Sequence, residues 1–342
     1  MLTRKLLIGL STLALLSGCA SKITIPEHDQ DPVAYQSSKE PLKIQYLGVG
    51  GERFQYGDEV ILTGPMFSNP SFVMAGPFIP LSSDHKAVDK YMPESSTASM
   101  ILVGHAHYDH LIDVPYIMEK HAPKAHLYGS KTTINTVANF VPEERRTIVN
   151  EQMATREKAG EWFYNDSGKV RIMAVKSSHA PHFMGIKLMK GKYQNPLKKY
   201  PWHAFGWREG QTIAYVIDFL DDNKQPAYRV FYQDAVSEEQ NGVVPDLGDG
   251  KDFDVAIICP ASFEQIKNYP ESIIENTKAK HYILGHWEDF FGNDLSGKQK
   301  FVRNTSQKKF EQRLDAALPE GSHWTRPNLF QTYEFGPEGL IK

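Results

Sequence analysis

The stretch Met100-Ile101-Leu102-Val103-Gly104-His105-Ala106-His107-Tyr108-Asp109-His110 is an apolar run, one glycine, and then three histidines and an aspartate within six residues. A shuffled chain of this composition would contain H-x-H-x-D-H about once in a thousand cases, so the motif needs a chemical reason. In extended backbone, residues two apart share a face, and His105 and His107 can therefore converge on one metal ion. A turn into the segment beginning at Leu111 then lets Asp109 and His110 point at a second position nearby. Imidazole and carboxylate are ligands for Zn²⁺, and also for Fe or Mn.

Ligands so closely spaced need partners from elsewhere, and three other predicted strands end in them. His179 follows Val170 to Lys176, Asp234 follows Arg229 to Tyr232, and His286 follows Tyr282 to Leu284 and Gly285. Period-two alternation predicts a further strand over Leu42 to Leu47, ending at Gly48, Gly50 and Gly51. Strands are also expected over Val60 to Thr63, Thr212 to Phe219, Val255 to Cys259 and Phe330 to Phe335. Helical patterns cover Lys131 to Phe140 behind a Ser130 N-cap, Glu264 to Lys278 interrupted at Pro270, and Gln307 to Leu318. Many strands with helices between them predict a layered α/β domain with large sheets.

In this order, H-x-H-x-D-H, a lone His, an Asp and a final His, the chain resembles the metallo-β-lactamase-fold superfamily of metallohydrolases. The resemblance runs from about Leu42 to the C-terminus and implies an α/β fold of the four-layer αββα sandwich type, with the metal centre at the edge between the sheets. It implies two divalent ions, Zn²⁺ first, with Mn²⁺ or Fe as alternatives. His105, His107 and His179 would hold the first ion, Asp109, His110 and His286 the second, and Asp234 would bridge them. An Asp at the bridging place, not a Cys, aligns the chain with hydrolases of esters, thioesters, lactones and phosphodiesters. Ile61-Leu62-Thr63-Gly64-Pro65-Met66-Phe67-Ser68 looks like a segment of the branch holding N-acylphosphatidylethanolamine phospholipase D and the ascorbate-lactone hydrolases. Gly64 departs from the Asp usual there.

Two ions about 3.5 Å apart can share a water, acidify it and polarise the scissile group. The nucleophile is then a bridging hydroxide that Asp109 would both ligate and orient. His182, three residues past His179, is a candidate alternate ligand or proton donor, or simply a surface histidine. Glu288 or Asp289 are placed to accept the free N–H of a ligand histidine, if they are more than loop residues. His281 lies inside a strand and reads as a packed, hydrogen-bonded residue. The insertion from Lys187 to Gly210 interleaves six basic residues with five aromatics, which suits an anionic headgroup or membrane interface, and equally a solvated hairpin. Trp202 and Trp207 within it, and Trp287 after His286, are candidate substrate contacts.

Composition bounds the partners. The chain has 342 residues, 38 Lys+Arg against 41 Asp+Glu, and a net charge of −3, so no basic field collects nucleic acid. Its two cysteines, Cys19 and Cys259, exclude a disulfide framework. The N-terminus has a basic start (Arg4, Lys5), an apolar run from Leu6 to Leu16 too short to span a bilayer, and then Leu16-Ser17-Gly18-Cys19. This resembles the bacterial lipoprotein box, which implies cleavage before Cys19 and diacylation of its thiol. Ala20 after the cysteine implies sorting to the outer membrane, facing the periplasm. The expected organisation is a signal peptide over 1–18, a lipidated Cys19 with its tether over 19–41, and a hydrolase domain over 42–342. The expected function is a membrane-anchored binuclear hydrolase of a phosphodiester or other ester, acting on a small-molecule or lipid substrate. A lactonase or carboxylesterase, an iron-dependent oxidoreductase and a non-catalytic envelope-binding lipoprotein are the alternatives.

Overall fold

The computed structural model describes residues 40–342. The expected signal peptide, the lipid acceptor Cys19 and the tether through residue 39 lie outside the described residues. The first half of the described chain runs β1 (Leu42–Gly48), β2 (Gly51–Tyr56), β3 (Glu59–Thr63), α1 (His85–Tyr91), β4 (Met100–Leu102), α2 (Tyr108–Leu111), α3 (Val114–Lys120), β5 (His126–Gly129), α4 (Lys131–Val137) and β6 (Arg146–Ile148). It continues with β7 (Trp162–Tyr164), β8 (Val170–Lys176), β9 (Ile213–Leu220), β10 (Pro226–Tyr232), β11 (Val255–Ile258), α5 (Glu271–Thr277), β12 (His281–Leu284), α6 (Gln307–Ala317), β13 (His323–Thr325), β14 (Thr332–Gly336) and β15 (Gly339–Leu340). Among the described residues the strands form an eight-stranded sheet, ordered β15-β14-β1-β2-β3-β4-β5-β6, and a seven-stranded sheet, ordered β13-β12-β11-β10-β9-β8-β7.

Alternation along the strands builds the layers. On β4, Met100 and Leu102 face the second sheet and join Ile44, Phe54, Tyr215, Val230 and Ile283 in the core between the sheets. Ile101, on the opposite face, packs with Val88 of α1, Ile117 of α3 and Ile134 of α4. The outer face of the second sheet is covered in the same way, with Phe231, Ala256 and Leu284 against Ile273 of α5 and Phe310 and Leu314 of α6. Every residue of β9 is buried because both its faces are covered. The result is a four-layer αββα sandwich, the layering that the resemblance implies.

Local signals start the helices where the sequence predicts. Ser130 accepts the Thr133 N–H and Ser306 the Lys309 N–H, caps worth about 1 kcal/mol each. The pattern around Pro270 resolves into a 3₁₀ turn over Phe263–Gln265 and then α5. Strands β2, β5, β6, β7, β13 and β15 and the short helices α1, α2 and α3 were not expected. They are two to seven residues long, too short for a period to register.

Strand direction positions the site. β3, β4, β5 and β6 are mutually parallel, and so are β10, β11, β12 and β13. β9 is antiparallel to both β8 and β10, so β8, β10 and β12 all run one way. The backbone N–H of Ile213, entering β9, donates to Gly104 O at 2.8 Å and joins that end of the second sheet to the end of β4.

His281 is buried in β12, shares a hydrogen bond with the Thr325 hydroxyl at 3.1 Å and meets the Phe335 ring edge-on. Burial, helped by His323, lowers its pKa to about 3. The unfolded chain takes up that proton near 6.5, so between those values it binds more protons than the folded chain. Stability therefore falls as pH drops from about 6.5 toward 3. Urea unfolding at stepped pH should show this, and His281→Gln, which does not titrate, should flatten the slope by about 1.4 kcal/mol per unit. An unchanged slope would remove His281 from the account.

Candidate metal centre

After β4 the chain passes through Gly104 into the H-x-H-x-D-H motif, and the structure replaces the expected simple turn with helix α2. His107 is the N-cap in extended conformation, and Asp109 and His110 stand on the single helical turn. That change of backbone is what sends the first two histidines one way and the Asp-His pair another. The other three residues arrive on loops at the ends of β8, β10 and β12. Ala180 N–H donates to Val236 O at 2.8 Å and fastens the His179 loop to the Asp234 loop.

All seven expected ligands meet. Their donor atoms form three overlapping sets, namely His105, His107 and His179; His105, His110 and Asp234; and Asp109, His110 and His286. The outer sets hold the same residues as the two expected ligand groups, and the middle set lies between them through Asp234. Asp234 Oδ1 is 3.1 Å from His105 Nδ1, and Oδ2 is 3.3 Å from His110 Nδ1. Asp109 Oδ2 is 3.2 Å from His110 Nε2 and 3.4 Å from His286 Nε2. Two ligands about 2.0–2.1 Å from one tetrahedral ion stand about 3.3 Å apart, so the spacings of Asp109 from the Nε2 atoms of His110 and His286, and of Asp234 from His105, fit shared coordination, while His110 Nδ1, across the ring, faces Asp234 Oδ2. The hydrogen-bond inventory fits it as well. His105 Nε2, His107 Nε2, both ring nitrogens of His110, His286 Nδ1 and Asp234 Oδ2 are buried with no hydrogen-bond partner. Buried polar atoms are almost always paired, and this many orphans on the residues of the three sets are what bound cations would help satisfy.

Electrostatics agree with ligand chemistry. Burial, with neighbouring histidines, holds His105 and His107 well below the usual histidine pKa, so both are neutral at pH 7. Burial alone would raise Asp109, but His110 and His286 beside it outweigh that and keep it ionised, well below the usual range. His179 donates its Nδ1–H to Ala180 O at 2.6 Å, which leaves the Nε2 lone pair facing the centre, and burial lowers its pKa to about 4. His182 has the opposite tautomer. Its Nδ1 accepts the Leu188 N–H at 3.2 Å, so the neutral ring carries its proton on Nε2. Its ring stacks on His179 at 4.7 Å, yet it joins no ligand set.

Several expectations are corrected. Trp207 and Trp287 do not meet substrate, because both rings are packed in hydrophobic clusters, and the Trp287 N–H is bound by Pro327 O. Only Trp202 of the three presents its ring to solvent. Glu288 accepts the Val49 N–H at 2.6 Å and the Tyr46 hydroxyl, and Asp289 pairs with Arg303, so neither serves a ligand histidine directly. Glu288 acts one step back. Val49 O takes the His286 N–H at 2.8 Å, and Val49 and His286 are both held at positive φ. Gly64 also has a reason, since a Cβ there would stand 2.3 Å from His110 O. The following loop is gripped instead by buried Asp113, which accepts the N–H groups of Phe67 and Ser68 and the hydroxyl of Ser83.

Sequence reasoning missed the groups that cradle the ligands. A Cβ on Gly50 would lie 2.3 Å from His110 Nδ1, and one on Gly104 would lie 2.4 Å from both Asp234 oxygens. The Tyr232 and Thr63 hydroxyls each donate to Gly50 O at 2.6 Å and hold it against His110. The glycine cluster after β1 was the one available signal. Glu209 is a further omission. Its carbonyl takes the Ala106 N–H between the first two histidines, and its carboxylate holds Lys187 at 2.8 Å.

Residues 65–232 match the family described as Beta-lactamase superfamily domain. No curated protein matches the chain. Among solved structures, the metallo-β-lactamase fold protein YhfI of Bacillus subtilis is 13% identical, with 86% of this chain and 100% of that one covered and a TM-score of 0.48. Igni18, a metallohydrolase of Ignicoccus hospitalis, is 12% identical over 86% of this chain and 98% of its own, with a TM-score of 0.48. CmlA, a diiron β-hydroxylase of Streptomyces venezuelae, is 11% identical over 87% of this chain and 55% of its own, with a TM-score of 0.45.

Proposed function

We propose that this chain, which carries a β-lactamase superfamily domain over residues 65–232, is a binuclear metal-dependent hydrolase of a phosphodiester or other ester. The observation behind the reading is the pair of three-residue sets joined through Asp234, with buried, unpartnered atoms on His105, His107, His110, His286 and Asp234. Two divalent ions, Zn²⁺ first, held by His105, His107 and His179 and by Asp109, His110 and His286 with Asp234 between, would supply water activation and polarisation of the scissile group.

The chain's own residues do the rest. Asp109, kept ionised, uses Oδ2 toward His110 and His286, and its second oxygen is available to accept a hydrogen from the attacking water. Burial, with His179 beside it, lowers the pKa of His182 to about 4, so His182 is neutral at working pH. A neutral imidazole is a poor acid but a good hydrogen-bond donor. His182 therefore stabilises charge on the reacting oxygen through Nε2–H and does not transfer a proton. His182→Phe should lower kcat about a hundredfold with metal content intact, His182→Gln should recover part of that loss, and the pH profile should lack a histidine inflection between 5.5 and 7.5. A wild-type inflection there that vanishes in both variants would restore the proton-donor role.

Metal analysis together with turnover tests the class. About two zinc per chain and hydrolysis of bis(p-nitrophenyl) phosphate or a p-nitrophenyl ester are expected. Iron with visible absorption and no hydrolysis would move the chain to the oxidoreductases, and no bound metal would leave a binding protein. A lactone or carboxylic ester turned over faster than the phosphodiester would make it the lactonase or carboxylesterase form. We further propose that Cys19 is diacylated and holds the chain on the periplasmic face of the outer membrane; mass spectrometry of the mature N-terminus would detect the acyl groups. No helix among the described residues is long and apolar enough to cross a membrane.

A further inference from the structure

Large apolar side chains are exposed mainly in three loops. Phe78 is 82% exposed, Met184 75% and Val73 71%, and Phe72, Ile186 and Trp202 are each more than half exposed. Ser68 to Leu81 is fourteen residues long and carries no charge. At the chain's 23% charged composition a solvated loop of that length would hold about three.

The three loops open at one end of the sandwich, the end that holds the metal centre. The first leaves β3, which is parallel to β4 and so ends beside His105. The second leaves β8 and carries His179 and His182. The third enters β9, antiparallel to β8, and therefore starts at that same end. Leu81 N–H donates to Trp202 O at 2.8 Å and ties the first loop to the third. Phe72 meets Phe291 edge-on at 5.2 Å, and the neighbouring Phe290 lies 5.5 Å from the His286 ring. The second loop folds back through His182 N–H to Ile186 O, so its exposed residues flank His182.

Scattered surface hydrophobics need no explanation, but a contiguous rim around a site mouth does. The segment continuous with this rim also carries exposed Lys190, Lys192, Lys198, Lys199 and Arg208, with Glu209 the lone acid from Lys187 to Gly210. Apolar tips backed by cations fit a bilayer with anionic headgroups, where tips enter the acyl boundary and the cations are drawn to the negative surface. We infer that the loops 68–81, 182–188 and 202–208 form a docking surface for an anionic lipid bilayer, which brings the metal centre to the membrane–water interface. The inference rests on the hydrolase reading only for what the site does once there.

Trp202 is a native probe of this contact, because Trp207, Trp287 and Trp324 are buried and Trp162 is half-buried on β7, outside the three loops. The full chain on vesicles of phosphatidylglycerol and phosphatidylethanolamine should show tryptophan quenching by brominated lipid, at least fivefold weaker in Trp202→Phe. Phe78→Asp with Met184→Asp should reduce the Trp202 quenching about tenfold, whether or not an N-terminal anchor holds the chain on the vesicle. Salt at 0.5 M or replacement by phosphatidylcholine should weaken it severalfold. His110→Ala, inactive as a hydrolase, should still be quenched, so failure of the hydrolase reading and failure of the docking surface are distinguishable. No quenching of Trp202, or equal quenching on phosphatidylcholine, overturns the proposal. Self-association of the lipid-free chain that Phe78→Asp abolishes would make a second copy the occupant and overturn it too.

Discussion

Replacing His110 by alanine should reduce hydrolysis by at least about a thousandfold and lower bound metal from about two ions per chain to at most one. His110 belongs to two of the three ligand sets, with Nε2 toward Asp109 and Nδ1 toward Asp234. Its loss removes a donor from the second ion and loosens the carboxylate that joins the two. It also removes the ring that, against the effect of burial, helps hold the Asp109 pKa down. One lost oxyanion donor typically costs about 10²–10³ in kcat, and a shared ligand should cost more. The fold should survive, because alanine suits helix α2 and the His110 ring faces other histidines and not the apolar core. Far-UV circular dichroism should be unchanged, and the metal-free chain should melt within a few degrees of wild type. Wild-type turnover with two bound ions would sink the binuclear assignment.

Adding one methyl group at Gly104 should be almost as damaging. A Cβ there would lie 2.4 Å from both carboxylate oxygens of Asp234 and 2.5 Å from its Cγ, well inside contact distance. Neither side has room to yield. Gly104 O accepts the Ile213 N–H at 2.8 Å, and Asp234 is buried between His105 and His110. The carboxylate must rotate out of the position that joins the two ion sites. Gly104→Ala should therefore lower metal affinity and kcat/KM by about a hundredfold or more, with a loss of stability of about 1–3 kcal/mol from overpacking. Gly297→Ala, at an exposed loop position, is the control and should leave metal content and turnover alone. If Gly104→Ala binds two ions with normal affinity, Asp234 is not the group between them.

The ligand set was legible because its chemistry is local. Histidines two residues apart after an apolar strand announce themselves without a fold, and His179, Asp234 and His286 each follow a strand run that periodicity detects. The supporting groups were not legible, because their roles depend on atoms far away in the chain. Glu288 reads as a partner for its neighbour His286, but it turns to Val49 and Tyr46 across 239 and 242 positions. Trp287 and Trp207 read as exposed aromatics beside the site until neighbouring layers cover them. Gly64 reads as a departure from a motif until the carbonyl of His110 occupies the space a side chain would need.

The order of residue types along the chain was enough to call for a layered α/β domain with large sheets and to pick out seven candidate ligands, since binary pattern and donor chemistry are properties of short segments; the αββα order came from the resemblance. Tertiary structure alone decided that a middle set of His105, His110 and Asp234 links the other two, that His182 stacks on His179 outside all three, and that the apolar loops share their end of the sandwich. Each of these follows from strand direction and packing, which bring together atoms that sequence separation keeps apart.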